Sequence, residues 1–130
     1  MIDQARVPGW LREHYGWVDA NEFASVLARF ADDVEVRFGN RAPVTGRAAA
    51  AAVLADVHRA FESSRHLFTN VWEQGATTLV EFDVAYRLRD GSTVRMETFT
   101  VLERADGLIT SMRVYIDEGP LRAARPQEAG

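Results

Sequence analysis

Three histidines, His14, His58 and His66, are the side chains of this 130-residue chain whose ordinary pKa lies nearest neutrality. His66 opens the stretch "HLFTNVW", where residues alternate as on a strand. Facing a cavity, with Tyr86 and Thr100 opposite, its imidazole can exchange a proton with an acidic phenol or with the central carbon of a β-dicarbonyl. His14 shares a helical stripe with Trp10 and Trp17. It reads either as a core histidine bonded to a carbonyl or as an N–H donor that polarises a ligand oxygen. His58 sits beside Val57 on an otherwise polar helix side and is expected at the surface. Asp19 stands before a second helix, where a carboxylate caps free N–H groups. Asp32 and Asp33 close that helix in a turn and read as solvated, and Asp117 and Glu97 fall on an outward face.

These groups exclude other chemistries. The histidines lack helical i, i+4 spacing and an evident carboxylate partner, and the chain has no cysteine, so no metal ligand set is expected. No glycine-rich phosphate loop follows a strand, and no cofactor is expected. The formal charge is −4, from 19 acidic and 15 basic residues. The basic residues are scattered, which argues against nucleic acid, whose phosphates need a basic face. Without an apolar run near 18 residues, no membrane partner is expected and the chain reads as cytoplasmic.

The elements that must position these groups follow from periodicity. Trp10 to Val18 carries two helical stripes, Trp10/His14/Trp17 and Leu11/Tyr15/Val18, so this helix is largely buried. "DANE" offers Asp19 or Asn21 as a cap for Phe23, Val26, Leu27 and Phe30. Val34, Val36 and Phe38 then alternate with Glu35 and Arg37 as a short strand with Phe38 inward. In "RAAAAAVLADVHRAFESS", Val53, Leu54, Val57 and Phe61 form the apolar stripe of a third helix. Beyond Arg65 the period becomes two, with strands near 66–73, 77–89, 92–104 and 108–117. Asp90-Gly91 and Asp106-Gly107 are hairpin signals. The result is an α+β fold: three helices and one short strand packed on a curved, antiparallel four-stranded meander. Residues 1–118 form one domain, and 119–130 are expected to be a flexible tail.

Alternation also assigns faces. Val80, Phe82, Val84, Tyr86 and Leu88 share the helix side with Val94, Met96, Thr98, Thr100, Leu102, Met112, Val114 and Ile116. On the strand from His66, either His66/Phe68/Asn70/Trp72 or Leu67/Thr69/Val71 faces inward, and aromatic content favours the first. Trp17, Phe38, Phe68, Met96, Thr98, Thr100, Met112 and Val114 would line a pocket for a flat apolar ligand. The opposite sheet face carries Phe99, Val101 and Tyr115 among Arg95, Glu97 and Arg113, a pattern that suggests a homodimer.

The segments "FADDVEVRF", "GRAAAAAVL" and "GLITSMRVYID", in this order, resemble the SnoaL-like branch of the nuclear transport factor 2-like superfamily, over residues 10 to 118. The resemblance implies a cone-shaped α+β barrel enclosing a pocket, usually in a homodimer. Members include polyketide cyclases, ketosteroid isomerases, scytalone dehydratases, epoxide hydrolases and non-enzymes. The three catalytic places of the isomerase fall at Phe38, His14 and Thr100, and Phe38 cannot take a proton. The likeness to scytalone dehydratase implies His66 as acid or base with Asp19 as a distant orienting group; its second histidine falls near Tyr86.

The sequence therefore points to a cofactor-independent cyclase, isomerase or dehydratase acting by proton transfer on a cyclic or aromatic, polyketide-like or terpenoid-like compound. His66 would be the acid or base, and His14, Tyr86 and Thr100 would position or polarise an oxygen. Two alternatives stand beside it. One is a non-catalytic ligand-binding or dimerisation module of the same fold. The other is an epoxide hydrolase, which needs an Asp, Arg, Asp set in the pocket, whereas Asp83 and Arg87 are assigned to the outer face.

Overall fold

The computed structural model describes residues 2–124. After a single 3-10 turn, Gln4–Arg6, two helices follow, α1 (Gly9–Asp19) and α2 (Phe23–Ala28). Strands β1 (Phe30–Phe38) and β2 (Val44–Thr45) lead to helix α3 (Arg47–His58). Four long strands complete the sheet: β3 (Ser63–Gln74), β4 (Thr77–Arg87), β5 (Thr93–Ala105) and β6 (Leu108–Ile116). The six strands lie in the order β2-β1-β6-β5-β4-β3, and every pairing is antiparallel except β1 with β6. The parallel pair follows from connectivity, because the chain leaves β1, crosses through α3 and the meander, and returns beside β1. The helices pack against one face of this curved sheet.

The local reason for the curvature is visible at "FADDVEVRF". Phe30 pairs with Ile109 and Glu35 with Ser111, so β1 contains three more residues than its partner between these points. The slack bulges out Asp32 and Asp33, which are exposed, while Phe30, Val34, Val36 and Phe38 stay buried. Arg47 secures the bulge by donating to the Phe30 carbonyl at 2.7 Å and pairing with Asp32 at 3.0 Å. Gly46, at φ +99°, supplies the turn that aims Arg47 there and donates its own N–H to the Val34 carbonyl. Phe30 thus begins a strand, where helical spacing had placed it at the end of the second helix. The extra pairing to Ile109 outweighs a weak helical period.

The assigned inner faces of β4, β5 and β6 hold. Val80, Phe82, Val84, Tyr86, Leu88, Met96, Thr98, Thr100, Leu102, Met112 and Val114 are all buried, while Val94 and Ile116, near the strand ends, are half-buried against the same core. On β3 the expected set splits. His66 and Phe68 face the helices, but a register shift between Phe68 and Asn70 reverses the alternation beyond it. Val71 consequently packs on the core and Trp72 stands exposed on the outer face.

Two further differences concern the ends of elements. The short strand β2, paired through Glu35–Thr45 and Val36–Val44, adds a second short strand to the one expected. Residues 119–124, expected as flexible tail, form helix α4 (Gly119–Ala124), because Leu121 finds a buried site on the core. The remainder of that tail, 125–130, lies outside the described residues.

Candidate active site

All three histidines of the chain line one cavity, enclosed between α1, α2, α3 and the inner face of the sheet. His66 is the best-held of them. Asp19, the last residue of α1, accepts from His66 Nδ1 at 2.6 Å and from the His66 backbone N–H at 2.8 Å. The Ser64 hydroxyl adds a third bond to the same carboxylate at 3.1 Å. The two-point hold fixes the ring and the tautomer. With Nδ1–H donated to Asp19, the neutral imidazole keeps its lone pair on Nε2. Rings of Tyr15 and Phe82 flank it, each with its centroid 4.9 Å away. Asp19 is therefore a direct partner of His66 rather than a distant orienting group. Nor does it cap α2, whose N-cap residue is Glu22 without a side-chain bond.

His14 is wholly buried and its Nδ1 has no hydrogen-bond partner. Burial, then the nearby Arg29 and His66 charges, lower its pKa to about 3, so the ring is neutral over the ordinary pH range. Beside it Tyr15 buries a hydroxyl that also lacks a partner, although Thr100 faces it. Burial pushes the Tyr15 and Tyr86 phenols up, and both remain proton donors at neutral pH. Leaving such polar atoms dry and unpaired costs about 1–3 kcal/mol each.

His58 is the residue that sequence reasoning misplaced. It lines the cavity instead of the surface, its Nδ1 bonded to the Leu54 carbonyl at 2.7 Å and its ring set against Phe23 and Phe61. The signal was present: Leu54 and His58 stand at i and i+4 on α3, so His58 shares a helical side with a member of the apolar stripe. Tyr15 was likewise legible as a member of the Leu11/Tyr15/Val18 stripe.

Of the other expected residues, Tyr86, Phe38, Thr98, Thr100, Met112 and Val114 line the cavity. Three do not. Counting about 100° per residue, Val18, Leu11 and Tyr15 lie on one side of His14 and Trp17 on the other. Trp17 turns away to stack under the Arg29 guanidinium, 4.7 Å from its ring. Phe68 packs behind the wall against Tyr15 and Phe82, and Met96 is core.

The empty space measures about 50 Å³. This is several times what one water needs and well below the roughly 300 Å³ at which pockets for drug-sized ligands begin. Among the described residues no Arg, Lys, Asp or Glu is on its wall. The Asp, Arg, Asp set of an epoxide hydrolase is not assembled there: Asp83 pairs with Arg95 at 3.2 Å on the outer face, and Arg87 is exposed. Among the described residues no cluster of three or more His, Asp or Glu is placed to hold a metal. No helix among them is long and apolar enough to cross a membrane.

With this geometry in view, the profile of the SnoaL-like domain matches residues 11–112. The chain belongs to the SnoaL-like family. No curated protein matches it in sequence. Solved structures confirm the fold at low identity. A Mycobacterium tuberculosis LEH-like epoxide hydrolase aligns with a TM-score of 0.72 at 20% identity, covering 88% of this chain and 84% of the other. A protein with a ketosteroid isomerase-like fold from Catenulispora acidiphila, in complex with trimethylamine, gives 0.78 at 17%, with coverage of 89% and 91%. TerC, co-crystallised with polyporic acid, gives 0.76 at 19%, with coverage of 88% and 93%.

Proposed function

We propose that this SnoaL-like protein is a cofactor-independent enzyme that moves a proton on a small, uncharged cyclic carbonyl compound, with His66 as the base. The observation that carries this reading is His66 on the cavity wall with its Nδ1 held by Asp19 from outside the lining, which leaves Nε2 as the free nitrogen. Nε2 takes a proton from the carbon beside the carbonyl, and the electron pair of that C–H bond moves onto the carbonyl oxygen. The buried Tyr15 hydroxyl, whose ring adjoins that of His66, donates to this developing enolate, with Tyr86 and His14 as further donors on the same wall. Return of the proton at another carbon is isomerisation, and loss of a β-hydroxyl with that proton is dehydration. Attack of the enolate carbon on a second carbonyl is cyclisation. All three are redox-neutral and need only the groups present.

The narrow cavity favours a single ring over a polycyclic substrate, and the small molecules present with two structural relatives support a ligand-binding role. The same narrowness favours, as a second reading, a binding module without turnover. Exchange of α-hydrogens of cyclohexanone in D₂O, followed by proton NMR, separates the two. The wild type is expected to accelerate exchange and His66→Ala to abolish it. Equal, uncatalysed rates in both would overturn the enzyme reading in favour of the binding module.

We also propose that the outer sheet face pairs with a second copy of the chain. Trp72, Leu79, Val101 and Arg113 form a continuous row across β3 to β6, with Phe99 and Tyr115 adjoining it. Trp72 and Tyr115 remain 48% and 44% exposed in the single chain.

A further inference from the structure

The proton-transfer reading leaves His58 unused, although it is a cavity residue with a defined tautomer. Its Nδ1 lies 2.7 Å from the carbonyl of Leu54, one turn back on α3. A carbonyl only accepts, so Nδ1 carries the proton in the neutral ring and Nε2 is left with a lone pair and no N–H. Phe23 and Phe61 hold the ring in place from two sides, at centroid distances of 4.7 and 5.0 Å. Burial lowers its pKa, partly opposed by the Leu54 bond, which keeps this acceptor-only form in the majority at neutral pH.

The cavity thus has an asymmetric polar lining. Tyr15 and Tyr86 are hydroxyl donors for a carbonyl, His66 is the base, and His58 is a fixed acceptor on the helix side. A ligand with a carbonyl alone offers the His58 Nε2 no donor. A carboxylate would be buried without a cation, since no Arg or Lys among the described residues lines the wall, and that costs far more than a neutral group does. We propose that His58 is a specificity-determining residue whose Nε2 accepts a hydrogen bond from a hydroxyl on the substrate, so that the substrate class is a single-ring, uncharged hydroxy-ketone. This rests on the reading of the cavity as a proton-transfer site, but its test does not depend on turnover.

The probes are 4-hydroxycyclohexanone, cyclohexanone and 4-oxocyclohexanecarboxylate, titrated into ¹⁵N-labelled protein while the His58 Nε2 resonance is followed. The hydroxy-ketone is expected to bind at least about tenfold more tightly than cyclohexanone and to shift the His58 Nε2 signal; the carboxylate is expected not to bind. His58→Phe, which keeps an aromatic ring between Phe23 and Phe61, should bring the two ketones to equal affinity. His58→Gln, which restores an acceptor oxygen, should recover part of the preference. Equal binding in the wild type, a preference that survives in His58→Phe, or no binding of either ketone would each overturn the proposal. Preferential binding with the His58 response but without α-hydrogen exchange would uphold His58 and overturn only the role given to His66.

Discussion

Asp19 holds His66 at two points, its carboxylate accepting from the ring Nδ1 at 2.6 Å and from the backbone N–H of the same residue at 2.8 Å. One carboxylate therefore ties the end of α1 to the start of β3 and selects the imidazole tautomer. Asp19→Asn is expected to keep the fold, since an amide oxygen can still accept from the backbone, but to lose the tautomer. The α-hydrogen exchange rate should fall by about 10²-fold or more at unchanged ligand affinity. A variant that exchanges at the wild-type rate would show that the pair is structural only.

Tyr15→Phe separates stability from function. The hydroxyl is buried and has no hydrogen-bond partner, so its removal relieves a desolvation cost and the melting temperature should stay constant or rise. If Tyr15 holds the enolate oxygen, the exchange rate should nevertheless fall about tenfold to a hundredfold. Differential scanning calorimetry and the exchange assay on one preparation test both halves, and an unchanged rate would remove Tyr15 from the mechanism.

His14 makes folding pH-dependent. The unfolded chain takes up a proton at this position near pH 6.5 and the folded chain only near 3, chiefly because the ring is buried. Between those values the unfolded state binds more protons, so this contribution is fully present above pH 6.5 and is lost as the pH falls toward 3. The slope is about 1.4 kcal/mol per pH unit. His58, whose pKa burial also lowers, acts in the same direction. In urea melts at pH 7 and 4.5, His14→Phe should lose less stability on acidification than the wild type, by about 2–3 kcal/mol. Parallel losses in the two proteins would contradict the burial argument.

A charge at Trp72 tests the outer sheet face. Trp72→Lys leaves the core untouched, because the side chain is exposed beyond the β3 bulge. Sedimentation equilibrium is expected to show a dimer for the wild type and a monomer for the variant, with unchanged circular dichroism. A wild type that sediments as a monomer would refute the pairing.

Three of the four long strands could be read from the sequence because their alternation runs unbroken over the assigned inner-face residues. Period-two alternation assigned the buried sides of β4, β5 and β6 residue by residue, because successive side chains must alternate across a strand. The Asp-Gly pairs marked two of the hairpins for an equally local reason. At Asp106-Gly107 both residues adopt positive φ, which these residue types tolerate. Phe38 was legible as an inward residue at the end of such an alternation, and the cavity confirms it.

Tertiary structure decided what no window of sequence contains. Asp19 looked like a helix cap, the commoner fate of an aspartate between helices, until β3 brought two N–H groups to it from a distant part of the chain. Trp72 pointed inward until the bulge after Phe68 reversed the pleat. His58 and Trp17 exchanged their expected places because periodicity defines the sides of a helix but not the rotation at which it docks. That rotation is set by the summed packing of α1 and α3 on the curved sheet, with Arg29 ready to cover Trp17 and Phe23 and Phe61 ready to enclose His58. The alternation of a strand is a property of its own backbone, whereas a site is a meeting of surfaces that only the folded chain creates.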